Sequence, residues 1–277
     1  MTTVTEGSEK MVLEKTAACI ISKALQAIRQ HGWCSLVLAG GNSPRKLYRK
    51  LAEGLPYELV EPDCRDTRTG NDTTVRLPWE KIMLFWGDER CVPLNHPDSN
   101  FRMAQESLLN YTEIPENNIF CMPHVTSGFT DAALRYETTL KHFFQSHHSS
   151  WPSDNLWPAF DIILLGMGND GHTASLFPDD TPALEEKHRW VTDVHAKNGS
   201  PPGHRLTLTL PLINNAASVL FYVTGEKKTA LARQIISGGQ NTVPAARINP
   251  KHGDLQWFLA DGSTGQKPVS GPQECTA

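Results

Sequence analysis

Apolar residues return every three or four positions between Glu9 and Gln30. Leu13, Ala17, Ile20, Ala24 and Ile28 share one face, which predicts a long amphipathic helix ended by Gly32. The pattern then changes. Trp33–Ala39 is dense in Leu and Val, as buried strands of parallel sheets are, and Pro44 suits the first turn of a helix running to about Leu51. Residues 54–80 are polar and irregular, and Asp63–Thr74, rich in Asp, Thr, Arg and Gly, reads as a surface insertion. Lys81–Trp86 and Phe160–Leu165 are two further buried strands. Shorter strands are expected at Asn118–Met122, Trp190–Val194, Arg205–Leu210, Ser218–Thr224 and Gln256–Ala260. Helices are expected at Phe101–Asn110, with Ser99 or Asn100 as N-cap, at Asp131–Gln145 and at Glu226–Ser237. Ser146–Pro158 reads as a loop.

Strands alternate with helices along the chain. That order predicts an α/β fold: an open, doubly wound, mostly parallel sheet of Rossmann-like type, with helices on both faces and right-handed crossovers. There is no internal repeat and no Pro/Ser linker between two cores. One domain over residues 1–277 is expected, with a polar head of about residues 1–9, the insertion at about 63–74 and a loose tail at about 262–277.

Composition narrows the function classes. The 277 residues carry 26 basic and 30 acidic side chains, a net charge of −4, and 39% of them are hydrophobic. A nucleic-acid binder would need a basic excess, so none is expected as a partner. No apolar run approaches the roughly 20 residues that cross a bilayer, and Met1–Lys10 has no signal-peptide pattern, so the expectation is a cytoplasmic protein without membrane contact. The six cysteines, at 19, 34, 64, 91, 121 and 275, form no C-x-x-C pair. Free thiols are expected, with neither a disulfide scaffold nor a cysteine zinc site. The histidines form no HExxH or similar set, so no metal is expected.

Four unusual segments fall at the carboxyl ends of predicted strands, where parallel sheets bind ligands: Gly40–Pro44, Gly87–Arg90, Gly166–His172 and Gly225–Lys228. Gly40-Gly41-Asn42-Ser43-Pro44 offers glycine backbone, a hydroxyl and a helix start, which together suit a phosphate; a tight βα turn explains it equally well. It is neither a Walker loop nor a GxGxxG fingerprint. Gly87-Asp88-Glu89-Arg90 gathers three charges, and a solvated turn is the plainer account. Asp170 and His172 flank Gly171. A carboxylate beside an imidazole can orient it as a general base, although a single histidine among eleven is more often structural. Lys228 at a helix start is unfavourable for the helix dipole unless an anion lies between it and Arg205; a solvated lysine is the alternative. These residues support an acid–base enzyme acting on a small phosphorylated molecule and leave its reaction open.

The ordered set resembles a known family. It comprises Leu38–Pro44, Trp86–Arg90 with Ser99-Asn100, Gly166–Pro178, Arg205–Thr209 and Thr224–Lys228. It looks like the 6-phosphogluconolactonase branch of the superfamily that also holds glucosamine-6-phosphate deaminase/isomerase. The deaminases typically carry Tyr after Asp-Glu, where this chain has Arg90, and Asn-Glu-Pro after the histidine, where it has Ser175-Leu176-Phe177-Pro178. Asn42 and Asn169 depart from the commoner Ser/Thr and Pro. The resemblance implies hydrolysis of 6-phosphoglucono-δ-lactone, a step of the oxidative pentose phosphate pathway, without a cofactor, by a monomer or weak homodimer whose partner is the sugar phosphate. It implies His172, Asp170 and Arg90 as catalytic residues. Backbone N–H groups near Gly41 or Gly168 would serve the oxyanion, and Ser43, Arg205 and Lys228 the phosphate. Gly40, Asn42, Asp88, Ser99 and Asn100 complete the implied substrate site. Ser43 and Ser175 are expected not to be acylated.

Overall fold

A computed structural model describes residues 2–60, 73–147 and 157–261. The expected insertion at about 63–74 lies outside them except for residues 73 and 74, as do most of the 146–158 loop and the tail. In chain order the elements are β1 (Thr2–Gly7), α1 (Glu9–His31), β2 (Cys34–Leu38), α2 (Pro44–Glu53), β3 (Leu55–Pro56) and β4 (Thr74–Val75). Then come β5 (Ile82–Trp86), β6 (Asp88–Arg90), α3 (Asn100–Ser107), β7 (Ile119–Phe120), α4 (Phe129–His147) and β8 (Ile162–Leu165). The chain closes with α5 (Thr181–Leu184), β9 (Val191–Ala196), β10 (Gly203–Leu208), α6 (Leu210–Ile213), β11 (Ser218–Thr224), α7 (Glu226–Ile236) and β12 (Asp254–Ala260).

The main sheet has seven strands in the order β1-β12-β11-β8-β2-β5-β7, and every pairing in it is parallel. Its central strands β2 and β8 are buried along their whole length, so both faces of the sheet are covered. Helix α1 forms where the apolar stripe predicts it. Ser8 accepts a bond from the Met11 N–H at 3.4 Å, and Gly32 ends the helix at φ 93°, in the left-handed region. Thr16, Ala17, Ile20, Ile21, Ala24 and Leu25 are buried on its inner face.

The order of strands sets the location of the site. From β2 the chain moves outward to β5 and β7, then returns across β2 to β8 and continues to β11 and β12. The direction therefore reverses between β2 and β8, and a crevice opens beyond their carboxyl ends.

Two elements differ from the sequence-based expectation. The N-terminal polar stretch, where no strand was expected, forms β1 and pairs with β12 from Thr2↔Leu255 to Gly7↔Ala260. The charged segment after Trp86 is not a solvated turn: Asp88–Arg90 is β6, with Asp88 and Glu89 buried. It joins β9 and β10 in a separate antiparallel sheet of order β6-β10-β9. The strands expected near 190 and 205 thus belong to this sheet and not to the parallel one. Gly87 splices the two sheets: its N–H donates to the Leu38 carbonyl at 3.0 Å, and its carbonyl accepts from the Leu208 N–H at 2.9 Å.

Candidate active site

Gly40, Gly41, Asn42 and Ser43 follow the end of β2. Tyr48, on the next helix, is fully buried and donates its hydroxyl to the Ala39 carbonyl at 2.6 Å, which ties the turn to α2. Gly41 adopts φ 84°, which favours glycine. None of the N–H groups of Gly41, Asn42 and Ser43 donates to an acceptor among the described residues. Ser43 does not cap α2 with its side chain; its hydroxyl pairs with that of Thr224 at 2.8 Å, linking the ends of β2 and β11.

Behind this turn lies a buried polar cluster. Gly40 has no room for a side chain, because a Cβ there would meet the Asn100 amide at 2.3 Å. That amide donates to the Asp88 carbonyl at 2.8 Å and to its carboxylate at 3.2 Å, and the Ser175 hydroxyl donates to the other Asp88 oxygen at 2.6 Å. Glu89 faces the opposite way. It accepts from the N–H groups of Arg90, Asn100 and Phe101, each at 2.7 Å, and from the Ser99 hydroxyl at 3.0 Å. Burial pushes the Glu89 carboxyl up despite those donors. Glu89, with the buried Ser99 hydroxyl on it, therefore anchors the start of α3, while the buried Asn100 holds Asp88 and backs the glycine turn.

The segment after β8 carries the acid–base pair. The His172 Nδ1 lies 2.6 Å from an Asp170 oxygen, which also accepts the His172 backbone N–H at 3.1 Å. Burial alone would raise the Asp170 carboxyl, but the hydrogen bond and charge of His172 hold it below the usual carboxylate range. With Nδ1 engaged, Nε2 is the nitrogen left for chemistry. Gly168 makes the pair possible: a Cβ there would lie 2.2 Å from the imidazole and 2.5 Å from the Asp170 carboxylate. Its own N–H, however, donates to the His172 carbonyl at 2.9 Å. The Gly168 N–H is thus engaged within its own loop, and Gly168 shapes the site, while the N–H groups of Gly41, Asn42 and Ser43 have no acceptor among the described residues.

Arg90 and Arg205 are cross-strand partners on β6 and β10. Arg90 donates to the Asp98 carbonyl at 2.6 Å and Arg205 to the Pro201 carbonyl at 2.7 Å, while the buried Nε of each has no acceptor among the described residues. Desolvation lowers the Arg205 pKa, partly offset by the charge of Asp88. Among the described residues, neither arginine nor Lys228 has a carboxylate partner within 4.0 Å.

These elements meet in one cleft of about 210 Å³. Gly40–Ser43, Asp88, Arg90, Gly168, His172, Arg205 and Lys228 all line it. Of the thirteen residues singled out from the sequence, Asp170, Ser99 and Asn100 stand behind the lining and support it. Sequence reasoning missed Ser200 and Tyr48, and gave no role to Thr224 or Phe177, which stand within its motif segments. Ser200 lies on the wall of the cleft, and no motif marks it. Phe177 falls inside the quoted run after His172, where its apolar character suggests only packing. No group of His, Cys, Asp and Glu among the described residues could hold a metal ion, and no helix is long and apolar enough to cross a membrane.

A family model described as glucosamine-6-phosphate isomerases/6-phosphogluconolactonase matches residues 7–257. The chain belongs to this family. Within it, a 6-phosphogluconolactonase from Synechocystis sp. is 40% identical over 254 residues, 91% of this chain and 92% of the relative. A 6-phosphogluconolactonase from Nostoc sp. is 36% identical over 90% of each chain. Among solved structures, 6-phosphogluconolactonase from Thermotoga maritima matches with a TM-score of 0.74 at 27% identity, covering 94% of this chain and 100% of that one. The Trypanosoma cruzi 6-phosphogluconolactonase matches with a TM-score of 0.73 at 28% identity, covering 95% of each chain. The family expected from the motifs is thus the family found, on the branch whose named members are hydrolases, and the expected parallel α/β architecture agrees with these structures.

Proposed function

We propose that this family member hydrolyses 6-phosphoglucono-δ-lactone to 6-phosphogluconate, a step of the oxidative pentose phosphate pathway. The observation that carries the reading is the shared cleft: an imidazole held by a carboxylate, and three cations without carboxylate partners among the described residues, face the same space. In this reading His172 takes a proton from water through Nε2, and the hydroxide adds to the lactone carbonyl. Collapse of the tetrahedral intermediate breaks the bond to the ring oxygen, which receives the proton back from His172. Arg90 and the free N–H groups of the Gly41 turn stabilise the oxyanion. Ser43, Arg205 and Lys228 hold the phosphate. A lactone is an activated ester, so water suffices as nucleophile. Ser175 is fully buried with its hydroxyl on Asp88, which agrees with a role other than nucleophile.

The test generates the lactone with glucose-6-phosphate dehydrogenase and follows its loss above the spontaneous rate. Wild type should accelerate it, and His172→Ala should lower turnover by at least about a hundredfold. Near-wild-type turnover in a folded His172→Ala variant rejects the base. Ammonia release from glucosamine 6-phosphate without lactone hydrolysis rejects the reaction.

A further inference from the structure

Two groups of the cleft meet on one side chain that has no polar atom. The Phe177 ring lies 4.6 Å from the His172 ring, centroid to centroid, tilted by 34°. The Arg205 guanidinium carbon lies 5.3 Å from the centre of the same ring, within reach of a cation–π contact. Phe177 is 3% exposed, and so is Arg205. The ring is fixed by the turn that carries His172: the Leu176 N–H donates to the Thr173 carbonyl at 2.9 Å, and the Asp180 N–H to the Phe177 carbonyl at 3.1 Å.

The chemistry of that position is selective. A buried guanidinium needs compensation, and a carboxylate is the usual source. A carboxylate at 177 would complete an ion pair with Arg205 and compete with any anionic ligand. It would also set a second negative charge, besides Asp170, close to His172, favouring the imidazolium and removing a base near neutral pH. An aromatic face gives the cation partial compensation without neutralising it, and its apolar body walls one side of the imidazole. The guanidinium keeps an Nε with no acceptor among the described residues, so these leave part of its donor capacity unused.

We propose that Phe177 is a positioning residue for the reaction: its ring seats Arg205 as a desolvated cation left available to the anionic group of the substrate, and braces His172 from the same side. The inference rests on the reaction proposed above for the role of the anion, but its physical content is a coupling between Phe177 and Arg205.

A double-mutant cycle tests that coupling. The readout is the Kd for 6-phosphogluconate, titrated by NMR up to millimolar ligand, with KM for the lactone measured beside it. Phe177→Leu should weaken binding by about three- to thirtyfold, the range of a desolvated cation–π contact. Phe177→Tyr, which keeps the ring face, should bind as wild type does. In an Arg205→Met background, Phe177→Leu should change Kd by less than about twofold. An equal loss in both backgrounds, or no loss in the first, overturns the inference, because a ring that only fills space acts independently of Arg205. If the Leu variant loses the wild-type circular dichroism, Phe177→Met takes its place in the cycle. Lactone turnover is a separate arm. A chain that binds 6-phosphogluconate but leaves the lactone untouched refutes the reaction, and the cycle still decides Phe177; a chain that does not bind it refutes both.

Discussion

The hydrogen bond and charge of His172 favour the ionised form of Asp170 against the effect of its burial. The carboxyl is held below its ordinary range, so its contribution to the folded state is fully present above the ordinary Asp value and is lost as pH falls through the lower, folded value. The stability difference between wild type and Asp170→Asn should therefore shrink as pH falls through the acid range, as denaturation at a series of pH values would show. The same variant should lose about a hundredfold or more in turnover, since an amide does not enforce the imidazole tautomer that frees Nε2. A difference that grows toward low pH would contradict the assignment. Lys228 belongs to another class of residue. It contacts the cleft from the first turn of α7 with no carboxylate partner among the described residues. If it binds the phosphate equally in ground and transition states, Lys228→Ala should raise KM with kcat little changed. Steady-state kinetics decide this, and a fall confined to kcat would move Lys228 into the chemistry.

Short turns at strand ends, more than the strands themselves, set the geometry of the cleft. Gly168→Ala would introduce a Cβ at 2.2 Å from the imidazole, so the ring and its carboxylate must shift together. Turnover should fall by about a hundredfold or more, comparable to losing the base, while the far-UV circular dichroism stays that of wild type. Retained activity would show that the loop relaxes around the new methyl. Much at this scale was legible in the chain. Helix α1 follows from the spacing of Leu13 to Ile28 and from Gly32, and α3 from Ser99 as cap. The misses have physical causes. β6 consists of three charged residues, and the burial of Asp88 and Glu89 depends on partners supplied from Ser99–Phe101, Ser175 and β10; no local pattern encodes those. β1 was overlooked because it is polar. Its run of Thr and Val is nonetheless a strand signal, and it needs only one edge of β12 to pair.

Across the whole molecule, a net charge of −4 coexists with a cleft lined by Arg90, Arg205 and Lys228. Total charge governs solubility and weak attraction; the local arrangement of cations governs what enters a crevice. The candidate residues were readable because each stands at a strand end, where the parallel fold sends ligands. Their mutual placement was not, since it depends on a second sheet whose strands are hard to tell by periodicity from those of the first. The sheet order also separates stability from chemistry. β1 is the edge strand, with β12 and β11 between it and the switch point at β8 and β2. Deleting residues 1–7 should lower the denaturant midpoint, because six residues of pairing with β12 are lost, yet leave KM unchanged. A midpoint equal to wild type would mean that this strand adds nothing to the fold.

The pairing of Thr2 with Leu255 also has a consequence in time. During synthesis the residues of β1 leave the ribosome well before those of β12 exist, and no other strand of the main sheet borders them. This edge of the sheet is therefore built from two segments far apart in the sequence and closes only after β12 has emerged. Until then Val4 and its threonines remain an unpaired β-prone segment, open to pairing with other chains.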